Sequence, residues 1–167
     1  MAIRPRTDAD LSECVAVLRA VHEVDGYPSR WIEDPEAFLF RAPLGAWVAH
    51  RNRAIIGHVA LTVPAMPLVF ESTGWSPDTT AAVARLFTAP DGRRMGVGAA
   101  LLDAAVQRAW ELGRRPVLDV LARAMPAIAM YERSGWRFLG ADVATWTDRD
   151  GTHPLVRYYA APDAADC

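Results

Sequence analysis

The chain has 167 residues, 51% hydrophobic and 23% charged, which is enough apolar material to bury a sizeable core as one domain. Its 18 Lys and Arg against 20 Asp and Glu leave a formal net charge of −2, so no basic surplus points to a nucleic-acid partner. No apolar run reaches membrane-spanning length, Arg4, Arg6, Asp8, Asp10 and Glu13 interrupt any signal-peptide core, and the two cysteines, Cys14 and Cys167, lie far apart in sequence, so the expected setting is cytoplasmic and reducing with no membrane partner.

Residues 2–6 read as a first short strand. Asp8 has the chemistry of a helix N-cap, and Leu11, Cys14, Val15, Leu18 and Val21 form the apolar stripe of the helix that follows. Cys14 falls on that stripe, where a thiol is expected to be buried and not reactive. Gly26 and Pro28 break the pattern. Asp34-Pro35 starts a second short helix over 35–40, with proline at a first-turn position where its missing N–H costs nothing.

Residues 46–50 and 54–63 form two strands of a hairpin across the turn 51–53. Residues 64–80, with three prolines, Gly74, Phe70 and Trp75, read as an irregular loop, long enough to be functional or mobile. A strand over 81–88 ends before Pro90. A polar loop follows, then a helix over 97–112 whose Val97, Leu101, Leu102, Ala105 and Val106 share one face. Gly113 closes that helix, a strand spans 117–121, and a short helix runs through Ser134 to Gly135. Residues 137–146 and 155–160 form a last hairpin across 148–151. The expectation is a single domain over 1–162 with a C-terminal tail over 163–167. The order β-α-α-β-β-β-α-β-α-β-β is that of an α/β sandwich with a mixed sheet.

The stretch 86–102, LFTAPDGRRMGVGAALL, organises the rest. Gly96 and Gly98 stand where the helix begins, and glycine lets a ligand approach the backbone closely. The first amides of a helix have no intrahelical partner and carry the positive end of its dipole. That makes a main-chain anion site suited to a diphosphate, with Arg93 and Arg94 beside it. The spacing Arg93-x-x-Gly96-x-Gly98 fits neither the P-loop nor the dinucleotide fingerprint. It resembles the acyl-CoA pyrophosphate loop of the GNAT superfamily of N-acetyltransferases, Gln/Arg-x-x-Gly-x-Gly/Ala. Downstream, Ala124 to Trp136 reads AMPAIAMYERSGW and resembles the second GNAT signature, a helix bearing Leu/Met-Tyr-Glu that ends in Gly-Phe/Trp.

The resemblance covers 86–136 through motifs and the remainder through element order. It implies a GNAT-like α/β sandwich with a mixed, mostly antiparallel sheet of about seven strands and four helices. It also implies acetyl-CoA as co-substrate, with the diphosphate on Arg93, Arg94, Met95, Gly96, Val97, Gly98 and Ala99. The pantetheine arm would bond main-chain groups of Leu86, Phe87 and Thr88, and the next strand would splay away to leave a slot. Tyr131 would protonate the departing thiolate, which a phenol of pKa near 10 can do. Many members carry Asn at the position of Ala124, and Arg94 and Met95 replace the commoner Gly and Arg/Lys. Arg94 is expected to supply the phosphate charge that Met95 cannot.

The acceptor is expected to be a primary amine, on a small molecule or a peptide. A protonated alkylamine needs a base, and strand 81–88 offers no carboxylate. Glu71 in the long loop and His58 on the preceding strand are the candidates. Glu23 and Asp25 lie where GNAT proteins often contact the acceptor and would hold a cationic group, while Trp31 and Trp75 would wall its pocket. No cysteine lies in the motif region, so transfer is expected to be direct. His22, His50, His58 and His153 show no metal-ligand spacing, so no metal is expected. Edge strands near the C-terminus suggest a homodimer. Two other readings stay open: a non-catalytic acyl-CoA sensor or interaction module that kept the loop and lost the base, and a nucleotide binder. The second lacks the Lys-Ser/Thr pair for phosphate and magnesium.

Overall fold

The computed structural model describes residues 1–164; Cys167 and the end of the expected tail lie outside the described residues. In chain order the elements are β1 (Ala2–Pro5), α1 (Leu11–Asp25), α2 (Pro35–Phe40), β2 (Gly45–Arg51), β3 (Ala54–Thr62), α3 (Pro67–Thr73), β4 (Thr80–Thr88), α4 (Val97–Glu111), β5 (Arg115–Leu121), α5 (Met125–Arg133), β6 (Arg137–Val143) and β7 (Leu155–Ala160). The seven strands are ordered β1-β2-β3-β4-β5-β7-β6. β1–β2, β2–β3, β5–β7 and β6–β7 are antiparallel, and β4–β5 is parallel. The mixed, mostly antiparallel sheet of the sequence expectation is therefore present. The described residues form five α-helices, not four.

The added helix is α3, inside the segment read as irregular. Three prolines obscured it. Pro67 occupies the first turn, where it needs no acceptor; Met66, Val69 and Phe70 fall on one face; and Gly74 at φ 73 closes the helix with its amide on the Phe70 carbonyl. The N-terminal cap also differs. Thr7, not Asp8, precedes a short 3-10 turn over Asp8–Asp10, and the Asp10 carboxylate takes both the Thr7 amide (2.7 Å) and its hydroxyl (2.9 Å). The same carboxylate receives both ends of the Arg4 guanidinium at 2.7 Å. Those donors hold Asp10 far below the usual carboxylate range.

The chain forms two compact units, one from Met1–Thr62 with Val83–Arg108, the other from Val63–Ala82 with the described residues from Ala109 onward. In the first, β1 runs beside β2, with Ile3 opposite Ala49. β2 and β3 join through Asn52 and Arg53, both at positive φ (51° and 71°), the geometry of a two-residue hairpin turn. The core here comprises Cys14, Leu18 and Val21 from α1 with Leu39, Val48, Ile55 and Phe87. Each fully buried aliphatic side chain of this kind contributes about 1.5–3 kcal/mol relative to exposure.

In the second unit, Thr80, Ala81 and Ala82 of β4 pair with Arg115, Pro116 and Val117 of β5. β5 then pairs with β7, Asp119 opposite Tyr158. Met66, Val69, Ala82, Val117 and Ala160 form this core, with Phe70, Trp75, Leu139 and Tyr158 packed on it. α5 ends in a Gly135 turn at φ 78, where the Trp136 amide donates to the Tyr131 carbonyl (3.0 Å) and the Gly135 amide to Glu132 (3.1 Å). This double closure fixes the side chain of Trp136, 5% exposed, beneath the helix it terminates. Among the described residues no helix is long and apolar enough to cross a membrane.

Candidate functional site

The loop between β4 and α4 is tied down at both ends. The Ala89 amide donates to the Ile56 carbonyl of β3 (2.9 Å), and Pro90–Gly92 makes one 3-10 turn closed by the Gly92 amide on Ala89 (2.9 Å). Arg94 at φ 60 and Gly96 at φ 74 then turn the chain into α4. The first helical bond runs from the Ala100 amide to the Gly96 carbonyl (3.0 Å). The amides of Val97, Gly98 and Ala99 thus lack an intrahelical acceptor by construction. Nothing lies within 4 Å of where a Cβ on Gly96 would stand, so the approach to the helix start is open.

α4 is held close to the sheet at Gly57. A Cβ there would stand 2.9 Å from Leu101 Cδ1, 3.0 Å from Val97 Cγ1 and 3.0 Å from the Phe87 carbonyl oxygen. Only glycine on β3 admits this approach, which fixes the height at which the helix begins. Val97 is 1% exposed, so it can offer a ligand its amide and not its side chain. Met95 is exposed and its sulfur lies 3.6 Å from Arg51 Nη1.

The two loop arginines have different surroundings. Arg93 forms an ion pair with Asp25, the last residue of α1. Arg94 is exposed and has no carboxylate partner among the described residues. The two residues assigned from sequence to different tasks, Arg93 to phosphate and Asp25 to the acceptor, thus meet each other. Glu23 is exposed. Trp31 lies against the His22 ring (5.3 Å) and under the Arg19 guanidinium (4.4 Å).

On β4, Leu86 and Thr88 are partly exposed, while Phe87 is buried and stacks on the His58 ring at 5.2 Å. His58 is fully buried. Its Nδ1 lies 3.0 Å from the Arg85 carbonyl and its Nε2 lies 3.2 Å from Arg6 Nη1. That pairing requires the neutral tautomer, Nδ1–H donating and Nε2 accepting. Burial pushes its pKa down to about 4, and the Arg6 and Arg85 charges act in the same direction. Cys14 is buried as expected, and desolvation pushes its thiol up to about 12.

In the second unit Tyr131 is 7% exposed, with its ring 5.8 Å from Trp136 and 6.4 Å from Tyr159. Its neighbour Glu132 accepts a hydrogen bond from the Tyr159 hydroxyl (2.9 Å), giving the acidic residue of the Met-Tyr-Glu triplet a structural task. Glu71 is exposed on α3. Trp75 packs on the second core under the Arg115 guanidinium (4.8 Å).

Asp119 was missed in the sequence. A carboxylate within the apolar run PVLDVL of β5 is the signal that was there to be read. Its side chain reaches solvent, and desolvation by the protein around it raises its pKa. The phenol of Tyr158, opposite it on β7, is raised by burial first and then by the Asp119 and Asp142 charges. Among the described residues no group of three or more His, Cys, Asp or Glu is arranged to hold a metal ion.

A loop of open amides at a helix start, with an exposed arginine beside it, fits a polyanion such as a diphosphate. The family model described as "Acetyltransferase (GNAT) family" matches residues 13–136. No curated protein matches the chain in sequence. Solved structures of the same fold include the ribosomal-protein-alanine N-acetyltransferase of Brucella melitensis, 20% identical over 96% of this chain and 98% of that one, with a TM-score of 0.74. The Arabidopsis thaliana NAA60 complex with acetyl-CoA is 20% identical over 95% and 96%, with a TM-score of 0.72. Salmonella typhimurium yncA, solved with its cofactor acetyl-CoA, is 17% identical over 98% of each chain, with a TM-score of 0.69.

Proposed function

Given that the chain belongs to the acetyltransferase (GNAT) family, we propose that it moves an acetyl group from acetyl-CoA directly to a primary amine. The observation that carries this reading is the opening of α4: Gly96 at φ 74 with free space around it, three amides without intrahelical acceptors, and Arg94 beside them. In this proposal those amides hold the diphosphate, Arg94 supplies the first positive charge, and Arg93 joins once released from Asp25. Main-chain groups of Leu86, Phe87 and Thr88 hold the pantetheine arm as an added strand would be held.

Acetyl-CoA supplies the activated acyl group. Tyr131 is proposed as the acid that protonates the thiolate sulfur. For the base, Asp119 is preferred to Glu71 and His58. A carboxylate of raised pKa accepts a proton more readily than an ordinary one while remaining accessible. His58 has both nitrogens engaged and resists protonation, and Glu71 is an exposed residue of α3. The acceptor nitrogen bonds to the carbonyl carbon, the carbon–sulfur bond breaks, and one proton leaves the amine as one reaches the sulfur.

Calorimetry with acetyl-CoA, followed by a screen of amines for coenzyme A release, tests the proposal. Saturable binding with turnover of at least one amine class is the expected result. Binding without turnover of any amine would make the protein a sensor, and no binding at millimolar concentration would remove the reading.

A further inference from the structure

β4 and the segments around it carry a positive cluster that donor binding leaves unused. Arg85 sits in the strand at φ 53, a left-handed conformation that a non-glycine residue rarely adopts. Its guanidinium lies 4.6 Å over the Phe38 ring and donates through Nη1 to the Arg41 carbonyl. Arg6 approaches the same helix end: its Nη1 donates to the Leu39 carbonyl, and its Nη2 lies 3.5 Å from the Phe40 carbonyl oxygen. His58 joins the two, between Arg6 Nη1 and the Arg85 carbonyl. The Nε atoms of both Arg6 and Arg85 are buried without a hydrogen-bond partner.

Among the described residues neither Arg6 nor Arg85 forms an ion pair with a carboxylate. Burial lowers the pKa of Arg85 first, and the nearby Arg41 and Arg6 charges push it the same way. Closing the end of α2 does not account for so much charge. A full helix C-terminus presents about half a negative charge, and α2 is only six residues long. Two guanidiniums with a third nearby exceed it several-fold.

We propose that Arg85, supported by Arg6, binds the carboxylate of an amino-acid acceptor. The proposal rests on the acetyl-transfer reading above and specifies its substrate class. A guanidinium matches a carboxylate in shape and charge. Arg85 directly precedes Leu86–Thr88, so an α-amino group one carbon from the bound carboxylate is held beside the stretch assigned to the donor arm. The field also selects and activates. A plain alkylammonium is repelled by it, whereas a zwitterion is not. The same positive charge lowers the pKa of the bound amine and raises its reactive neutral fraction.

The test uses matched acceptors with the phenylalanine, methionine and glutamate side chains: the L-amino acid, its carboxamide, its decarboxylated amine and its aminophosphonate. The expected result is a kcat/KM for the acid at least about tenfold above that of the carboxamide and the amine for at least one side chain. Arg85→Gln is expected to bring that ratio to near one, mainly through the KM of the acid, with acetyl-CoA affinity by calorimetry reporting an intact donor site. Arg85→Lys keeps the charge without the fork and should restore part of the ratio. Should Arg85→Gln lose its cooperative melt, Arg6→Gln and Arg85→Lys carry the comparison. Equal or better use of the carboxamide or amine overturns the proposal, and so does a preference for the phosphonate. If acetyl-CoA binds but no amine turns over, the amino acids are titrated into the acetyl-CoA complex, and no heat at about 10 mM overturns it. If acetyl-CoA does not bind, the donor reading fails by itself, and the same titration of the free protein still decides whether the arginines hold a carboxylate.

Discussion

Asp25 at the end of α1 and Arg93 in the loop before α4, 68 positions apart in sequence, form an ion pair. Each side chain is about two-fifths exposed, so the pair contributes little to folding. Its consequence is competition, because the guanidinium a diphosphate would attract is already partnered. Asp25→Asn is expected to tighten acetyl-CoA binding by about two- to fivefold and to steepen its dependence on salt. Calorimetry at two ionic strengths reads both; weaker binding in the variant would mean that Asp25 positions Arg93 for the ligand.

Tyr131→Phe keeps the ring packing against Trp136 and Tyr159 and removes only the hydroxyl. If that hydroxyl protonates the departing thiolate, kcat should fall by about 10²-fold, with the acetyl-CoA dissociation constant within about twofold of the parent. Steady-state rates together with calorimetry separate these quantities, and an unaltered kcat assigns the proton to another group.

Asp119→Asn should lower kcat by a similar factor of about 10². The parent rate should also fall on the acid side, with a midpoint above the ordinary carboxylate range, because Asp119 has its pKa raised by desolvation. Below that midpoint the carboxyl is protonated and cannot accept the amine proton. A pH–rate profile in which the limb survives in the variant removes Asp119 from the base role.

His58 makes stability depend on pH. Its folded pKa, pushed down to about 4, lies below the 6.5 of a free histidine, so the unfolded chain binds the extra proton first. The contribution is complete above pH 6.5 and is lost as pH falls from there toward 4. At about 1.4 kcal/mol per pH unit, the loss by pH 4 is on the order of 3 kcal/mol. Urea unfolding at pH 7 and pH 5 should show the fall, and His58→Gln should flatten it between those values.

Gly57→Val places methyl groups where Leu101, Val97 and the Phe87 carbonyl already stand. Overpacking of this kind costs about 1–3 kcal/mol. Lifting the start of α4 should also weaken acetyl-CoA binding beyond what the lost stability explains. Thermal melts and calorimetry on the same sample distinguish the two effects.

The parts of the site that depend on backbone were legible in the sequence, because backbone geometry restricts residue choice. Gly96 stands where the chain turns at positive φ into α4, and Gly135 where α5 must close, and both are visible as spacing. The parts that depend on side chains meeting across the chain were not. Nothing local relates Asp25 to Arg93, or Arg6 to His58. Arg85 adopts a conformation its residue type disfavours, so propensity argues against the arrangement that the surroundings impose. α3 was hidden by its own prolines, one of which begins the helix it seemed to forbid. Asp119 was visible as a lone charge in an apolar strand, but sequence alone does not tell such a carboxylate from an ordinary solvated one.

Cys14, sealed in the first core with its thiol held protonated to about pH 12, gives the molecule an internal clock. Alkylating reagents attack the thiolate, so they can reach this sulfur only when α1 lifts away. Following adduct formation on the Cys14 peptide by mass spectrometry would therefore time the opening of that helix directly. Faster labelling with acetyl-CoA present would show that drawing Arg93 onto the ligand loosens the helix whose final residue had held it.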